Sequence, residues 1–233
     1  MDERPRSVDL NADLGEEVTD DEGLLAIVTS ANVACGFHAG TPETMRAVCA
    51  EAARRGVVVG AQVSYHDREG FGRQARDVEY AVLRDQVAEQ VGVLMAIAVS
   101  EGTRVRYVKP HGALYHRVID DMDQAEAVLA GSASLAVLGF PGSRLLRLAA
   151  DAGRATYEEG FPDRGYAGGR LLDRGRPGAL LADPGAIAAQ AVRLAPTVAS
   201  VCVHGDAPGA VDRARAVRRA LEGAGYVVAP FGG

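Results

Sequence analysis

The feature that most constrains the fold of this sequence is an alternation of short β-branched runs with helical segments along nearly all 233 residues. Seven runs have the length and composition of strands, and an eighth run is shorter. The seven span 7–14, 27–36, 57–65, 104–112, 134–140, 155–161 and 199–206, and the shorter one spans 226–230. Because successive parallel strands need crossover connections, this order predicts a parallel sheet covered by helices.

Helix signals fill the segments between these runs. Thr41 followed by Pro42 is typical of a helix start, and Gly56 is typical of a helix end. Besides this helix over 42–56, we expect helices over about 75–100, 141–152 and 184–194, and one capped by Asp206. No linker or repeat interrupts the alternation, so we expect a single domain spanning 1–233.

Polar side chains occupy every second position in five of the predicted strands. Asp9, Asn11 and Asp13 share one face of the first strand. The same spacing groups Ser30 with Asn32, Gln62 with Ser64 and His66, Tyr107 with Lys109 and His111, and His204 with Asp206. Strands of a parallel sheet are normally apolar on both faces. These polar sets therefore need a shared interior in which to find partners.

A closed barrel provides that interior. The polar sets lie toward the C-terminal ends of the strands, where (β/α) barrels build their active sites. An open sheet would gather polar residues at one crevice instead of on five strands. An antiparallel sheet with one solvated face also alternates, but the long helical segments argue against it. We therefore predict an α/β fold, a TIM-like (β/α) barrel that carries a catalytic site.

Histidine stands close to glycine at three strand ends. His38 lies in CGFHAG, His111 in KPHG and His204 in VHGD. A lone histidine is more often packed or exposed than catalytic, but three at corresponding places, facing Lys109 and Asp13, indicate proton transfer. The same residue types also bind divalent metals. A metal remains an open alternative here, because the sequence has no HExxH motif or comparable ligand pair.

Other residue types sharpen the expected chemistry. Lys109 is the only lysine among 25 basic residues, which indicates a place where a compact ammonium is needed, with chance survival as the alternative. We expect Cys35 and Cys202 on the apolar faces of their strands, as packed thiols. No GxSxG or Walker motif occurs, so any ATP handling needs another geometry. The segment 70–73 is either a lid with an anion-binding Arg73 or a solvated loop.

Composition excludes several other classes. The formal net charge of −6 and the absence of a basic block argue against nucleic acid or an anionic membrane as a partner. No stretch approaches the ~20 apolar residues of a membrane span, and no signal peptide is evident. The three cysteines form no CxxC pair. We expect a cytoplasmic protein.

Six motifs resemble those of the LamB/YcsF family. They are DLNADLGE at 9–16, TSANVACGFHAG at 29–40, GFGR at 70–73, KPHGALY at 109–115, Asp163-Arg164 with Tyr166, and CVHGD at 202–206. The match runs in order over nearly the whole chain. This family is the A subunit of bacterial 5-oxoprolinase, once called lactam utilisation protein. The resemblance implies a seven-stranded barrel of the glycoside hydrolase/deacetylase type.

The resemblance also implies a reaction: ATP-dependent opening of 5-oxo-L-proline to L-glutamate, together with separate B and C subunits. Phosphorylation of the lactam oxygen would remove amide resonance, after which water attacks. We expect Lys109 to stabilise charge, Asp13 or His204 to activate water, and the other histidines to transfer protons. The expected catalytic residues are Asp13, His38, Lys109, His111, His204 and Asp206. The expected substrate-binding residues are Asp9, Asn11, Asn32, Gln62, Tyr65, Arg73, Tyr115, Asp163 and Arg164.

The sequence departs from the family in three places. The family often reads GAHPGYPD where this chain reads GAQVSYHD, so a histidine is lost at Gln62 and another appears at His66. Ala12 replaces a common cysteine, which suggests that this thiol is not essential. The region after Ala167 is shortened, so loops on that side differ.

Two other functions remain compatible with the pattern. The first is a metal-dependent amide or N-acetyl hydrolase on the same barrel, which would need no ATP and would be sensitive to EDTA. The second is a non-catalytic subunit that delivers the lactam to its partners, in which mutation of His111 or Asp13 would change assembly but not chemistry. We expect replacement of Lys109 by Met to abolish turnover while leaving the fold intact, and near-normal activity in that variant would remove this lysine from the mechanism.

Overall fold

Seven parallel strands pair into a closed ring in the computed structural model, which describes residues 6–18, 20–206 and 209–232. All strands within the described ranges, including those outside the ring, are β1 (Ser7–Leu14), β2 (Ser30–Ala34), β3 (Val58–Val63), β4 (Val105–Pro110), β5 (Ala136–Gly139), β6 (Thr156–Gly160), β7 (Tyr166–Ala167), β8 (Arg170–Leu171), β9 (Ser200–Val203) and β10 (Val227–Val228). The ring consists of β1 to β6 and β9, and it closes because β1 pairs with both β2 and β9. The predicted seven-stranded (β/α) barrel is confirmed.

Helices surround the ring. They are α1 (Asp21–Leu25), α2 (Pro42–Arg55), α3 (Tyr80–Ser100), α4 (Gly112–Asp120), α5 (Met122–Gly131), α6 (Arg144–Asp151), α7 (Pro184–Leu194) and α8 (Ala210–Gly223). The ends of α2 agree with the sequence signals, since the Thr41 hydroxyl accepts a hydrogen bond from the Thr44 amide and Gly56 has φ +70°. No helix in the described ranges is long and apolar enough to cross a membrane.

Three predictions about helices need correction. Asp206 does not cap α8, which begins at Ala210 with Gly209 at its N-cap position, and the Asp206 carboxylate binds Arg73 instead. Helix α3 begins at Tyr80, five residues later than expected. Helices α4 and α5 were not predicted, because α4 follows β4 directly and no polar linker separates the two.

Alternation along the strands sorts side chains between two environments. On β1, Val8, Leu10, Ala12 and Leu14 belong to the apolar layer between strands and helices. The intervening residues Asp9, Asn11 and Asp13 are also buried, and they hydrogen-bond to side chains of other strands across the interior. The predicted alternation of apolar and polar faces is therefore confirmed for β1.

Aromatic rings fill the barrel interior where β4 and β6 begin. The Phe231 ring centroid lies 5.0 Å from that of Tyr107 and 4.3 Å from that of Tyr157. Gly60 leaves room for this packing, because a Cβ there would lie 2.2 Å from the Tyr107 ring. The filled end directs any ligand toward the opposite end of the barrel, where the strands finish.

Candidate active site

A saturated hydrogen-bond network occupies the lower half of the interior, by which we mean the half nearer the N-terminal ends of the strands. The Asp9 carboxylate accepts hydrogen bonds from the hydroxyls of Ser30 at 2.6 Å and Thr29 at 2.7 Å, and from Ser200. The Asn11 amide donates to the Ser200 hydroxyl at 2.6 Å. Burial raises the pKa of Asp9 to about 6, although these hydrogen bonds oppose the rise. We call Asp9, Asn11, Ser30, Asn32, Tyr107 and Ser200 the lower layer.

Asn32 joins the lower layer to the residues above it. Its amide nitrogen donates to Asn11 at 2.7 Å and to Asp13 at 2.9 Å, and its oxygen accepts from the Tyr107 hydroxyl at 2.6 Å. Asp9, Asn11 and Asn32 were predicted to bind substrate. All three are buried beneath the open cavity and line no part of it, so their position favours a structural role.

Lys109 lies at the centre of the interior, where its ammonium group hydrogen-bonds to Asp13 and Cys202 and lies at ion-pair distance from Glu159. Its Nζ is 3.1 Å from Asp13 Oδ1, 3.0 Å from Glu159 Oε2 and 3.1 Å from Cys202 Sγ. Burial lowers the pKa of Lys109, but these neighbours outweigh it and raise the pKa well above the ordinary value. Lys109 is therefore a fixed cation and not a base.

The two carboxylates that share Lys109 differ in charge. Burial raises the pKa of both, and Lys109 lowers both. The lowering dominates at Asp13, which also accepts a hydrogen bond from Asn32, whereas burial dominates at Glu159. Asp13 is accordingly the anion that balances Lys109, and Glu159 favours its protonated form. Glu159 was not predicted, although an acidic residue inside a buried strand was the signal.

Cys202 corrects a further prediction. We expected its thiol on the apolar face of its strand, but it faces the interior beside Lys109. Burial raises the pKa of the thiol well above its ordinary value, which disfavours the thiolate. Cys35 does lie in the apolar layer, as expected. Neither cysteine is placed as a nucleophile.

His204 stands at the rim of the interior with a carboxylate behind it. Its Nδ1 lies 2.8 Å from Asp163 Oδ2, and its backbone amide donates to the same oxygen at 3.2 Å. Burial lowers the pKa of His204, but the Asp163 carboxylate outweighs burial and raises it. Because Nδ1 is engaged, Nε2 is the nitrogen left for a ligand. Asp163, predicted to bind substrate, orients this histidine.

A cavity of about 300 Å³ opens above these groups, at the C-terminal ends of the strands. The charged or titratable side chains that line it include Asp13, Arg73, Lys109, His111, Arg174 and His204. Arg73 forms an ion pair with Asp206, and Arg174 approaches the same carboxylate at 4.0 Å. Two guanidinium groups thus share one carboxylate, and an anionic group of a ligand would give them a second partner.

Arg164 and Tyr115 also line the cavity, as predicted for substrate-binding residues. The Arg164 guanidinium nevertheless donates to the backbone oxygens of Ala179 at 3.1 Å and Leu172 at 2.6 Å. These bonds hold the segment after β8 against the barrel. Arg174, in that same segment, was not predicted, and no periodic pattern could have placed it at the cavity.

A second group of buried polar residues flanks the cavity. Glu16 Oε1 lies 3.6 Å from both His38 Nε2 and His111 Nδ1, and the two imidazoles stack with centroids 3.9 Å apart. Gln62 Nε2 is 3.1 Å from Glu16 Oε1 and 2.9 Å from His111 Nδ1. We call Glu16, His38, Gln62 and His111 the mouth cluster. Glu16 was not predicted, because it lies in a loop after β1 where no alternation applies.

The loop at 67–73 covers the mouth cluster. The Phe71 carbonyl lies 3.1 Å from His111 Nε2, and the Ala113 amide donates to the Gly72 carbonyl at 2.8 Å. A Cβ on Gly112 would lie 2.3 Å from that carbonyl oxygen, so glycine permits the close approach. Burial and the neighbouring His38 lower the pKa of His111 well below its ordinary value, which keeps it neutral.

Tyr65 was predicted to bind substrate, and the structure contradicts this. Its side chain belongs to the apolar layer outside the ring, and its hydroxyl donates to Gln124 on α5 at 2.8 Å. The alternation of β3 continues beyond its last residue and directs the Tyr65 side chain toward the helices, which explains the placement. His66, which follows it, is exposed and packs on the Phe37 ring.

These features define a class of protein: a parallel (β/α) barrel with buried acid–base groups at the C-terminal ends of its strands, the place where barrel enzymes carry out catalysis. The sequence matches the LamB/YcsF family over residues 8–233. The chain belongs to this family, as the motifs predicted.

Known proteins agree with this assignment. A Streptomyces avermitilis protein named as the A subunit of 5-oxoprolinase is 54% identical over 248 residues, which cover 96% of this chain and 99% of that protein. The crystal structure of the lactam utilization protein from Thermus thermophilus is 36% identical with a TM-score of 0.90, covering 97% of this chain and 100% of that one. A peptidoglycan N-acetylglucosamine deacetylase catalytic domain from Eubacterium rectale shares the fold alone, with a TM-score of 0.57 at 11% identity, over 99% of this chain and 90% of that one.

Proposed function

We propose that this chain is the A subunit of an ATP-dependent 5-oxoprolinase, which acts with B and C subunits to convert 5-oxo-L-proline into L-glutamate. Near-complete coverage of relatives that are named as A subunits of 5-oxoprolinase supports this function. The observation that carries it is the arrangement of Lys109, Asp13 and His204 around one cavity of about 300 Å³. Such a cavity suits a small molecule.

The cavity offers complementary charge to this substrate. 5-Oxoproline carries a carboxylate, and the guanidinium groups of Arg73 and Arg174 share the single Asp206 carboxylate near the opening. An anionic ligand in the cavity would complete their pairing through charge-assisted hydrogen bonds.

The reaction consumes two water molecules overall, one for the lactam and one for ATP. Phosphorylation of the lactam oxygen, with ADP as leaving group, makes the ring carbon electrophilic. Asp13, ionised beside Lys109, would orient the attacking water, and His204 would donate a proton to the leaving nitrogen because Asp163 raises its pKa. Cleavage of the C–N bond would leave γ-glutamyl phosphate, which the second water hydrolyses to glutamate and phosphate. Lys109 would act mainly through its electrostatic field, since its ammonium group is already engaged by Asp13, Cys202 and Glu159.

Omission of single components tests this function. The chain and its B and C partners are purified separately and incubated with 5-oxo-L-proline and ATP, and glutamate is measured. We expect glutamate from the complete mixture and none when this chain or ATP is left out. Glutamate formed at the full rate without this chain would contradict the proposal.

The metal-dependent amide hydrolase remains a second candidate, because the mouth cluster combines two imidazoles with a carboxylate. It predicts amide hydrolysis by this chain alone, without nucleotide, and inhibition by EDTA. The component-omission experiment separates the two functions when it is repeated with a simple N-acetylated amide.

A further inference from the structure

We infer that Glu16, His38 and His111 form a binding site for a divalent cation of the zinc class, with the Gln62 amide oxygen as a fourth ligand. The site lies beside Lys109 and its neighbour Asp13, and it opens to the same cavity through Glu16 and His111. This inference concerns cation binding and does not depend on the proposed reaction.

The spacing of the ligand atoms fits such a cation. Glu16 Oε1 is 3.6 Å from His38 Nε2 and from His111 Nδ1, and the three residues offer ligand atoms within 4.8 Å of one another. Ligand atoms in a tetrahedral zinc site, with bonds of about 2.0–2.2 Å, lie roughly 3.4 Å apart. Shifts of a few tenths of an ångström would therefore suffice for the two Glu16 distances.

Polar atoms without partners point to a missing ligand in this cluster. Both nitrogens of His38 and the Gln62 Oε1 atom are buried and make no hydrogen bond within the described residues. Each such atom is destabilising if it stays unsatisfied, because it has lost its hydrogen bonds to water. A half-turn of the Gln62 amide exchanges two atoms of equal shape and directs Oε1 at the position between Glu16 and His111.

The tautomer of His111 also suits ligation. The Phe71 carbonyl at 3.1 Å accepts the Nε2 proton, which leaves the Nδ1 lone pair facing Glu16. Histidine ligands of metals usually donate their other nitrogen to a carbonyl or carboxylate in this way. Phe71 holds its carbonyl there with φ +53°, an unusual conformation for an aromatic residue.

One movement has to accompany binding. The His38 and His111 rings stack nearly parallel, with an angle of 12° between their planes, so both lone pairs cannot reach one ion. The His38 ring must rotate about its Cβ–Cγ bond, and no hydrogen bond to its nitrogens within the described residues opposes this rotation. Binding should therefore separate the stacked rings.

Two imidazoles with a carboxylate select among cations. This ligand set is that of catalytic zinc sites, whereas Mg²⁺ and Ca²⁺ prefer oxygen ligands.

The full-length chain, freed of metal with a chelator that is then removed, is titrated with Zn²⁺ in a calorimeter. We expect one equivalent bound with a micromolar or lower Kd, no heat from Mg²⁺, and visible absorption bands on addition of Co²⁺.

Variants locate the site. Glu16→Gln and His38→Gln should each weaken Zn²⁺ binding by tenfold or more, since even loss of an outer partner costs about 10–100-fold. Gln62→His should tighten it by supplying a third imidazole. The matched control is His66→Gln, which alters an exposed histidine and should leave the Kd unchanged.

Three results would overturn the inference. The first is less than half an equivalent of Zn²⁺ bound by the wild-type chain, and the second is a loss in His66→Gln equal to that in His38→Gln. The third is an unchanged Kd in Gln62→His, which would place the cation elsewhere. This variant decides the question if Glu16→Gln and His38→Gln fail to fold by circular dichroism.

Discussion

The two halves of the barrel interior differ in how completely their polar atoms are paired. In the lower layer, the side chains of Asp9, Asn11 and Asn32 all hydrogen-bond to other side chains of the same layer. Their polar atoms therefore need no ligand. In the mouth cluster, buried atoms of His38 and Gln62 lack partners. The difference indicates that the lower layer holds the strands together, whereas the upper half is prepared for a ligand.

The largest expected effect comes from the residue between the two halves. Lys109→Met leaves the Asp13 carboxylate buried without its cation, so we expect loss of detectable glutamate formation and destabilisation by about 3–5 kcal/mol. Urea unfolding and the glutamate assay measure both. Arg106→Met, an exposed position on the same strand, is the control and should change neither. Near-normal turnover in Lys109→Met would remove this lysine from the mechanism.

The second prediction addresses the rim. Asp163→Asn should lower the pKa of His204, since burial then acts without the carboxylate that opposes it. A loss of glutamate formation of about 10²-fold is expected, the lower range for proton transfer by a positioned side chain. NMR titration of the His204 ring follows the pKa. An unchanged pKa would mean that Asp163 does not orient this histidine.

The third prediction concerns stability in the lower layer. Between the unfolded pKa of 3.8 and the folded value of about 6, folded Asp9 binds more protons than unfolded Asp9. Its contribution to the free energy of unfolding therefore falls as pH rises through this window, by about 3 kcal/mol. Urea unfolding between pH 4 and pH 7 should show a flatter profile for Asp9→Asn than for wild type.

Asp151→Asn, at an exposed position, serves as the control for that experiment and should keep the wild-type profile. If the profile of Asp9→Asn matched that of wild type, burial in the lower layer would not raise the pKa of Asp9. The contrast between a fully paired lower half and an incompletely paired upper half would then rest on hydrogen bonds alone.

The smallest effect is expected outside the ring. Tyr65→Phe removes the hydrogen bond to Gln124, so we expect destabilisation of about 1 kcal/mol and unchanged glutamate kinetics. Steady-state assays at varied 5-oxo-L-proline concentrations check this. A raised KM would show that the wall around β3 reaches the substrate, contrary to the structure.

The sequence sufficed to predict the barrel because its strands obey a local rule. Period-two alternation on β1, with Asp9, Asn11 and Asp13 opposite apolar neighbours, requires a polar interior. Likewise, Lys109, His111 and His204 were expected near one another, and all three line the cavity. The closure of the ring was predicted from polar sets on five strands, since an open sheet would gather such residues at one crevice.

Other parts of the site could not be predicted, because they depend on tertiary contacts. Glu159 follows a second glutamate, and its partner Lys109 is 50 residues away in sequence. Arg174 lies in an irregular segment that tertiary hydrogen bonds, including those of Arg164, hold at the cavity. Cys202 shares the phase of His204 on its strand, and its small apolar side chain led to the wrong expectation of an outward position.

One measurement tests the central claim most directly, namely the rate of glutamate formation by the complete mixture when this chain carries Asp13→Asn. The substitution keeps the shape of the side chain but removes the anion beside Lys109. We predict a rate no higher than that of a mixture without this chain. A rate equal to that of wild type would show that the interior at the C-terminal strand ends is not where the reaction occurs.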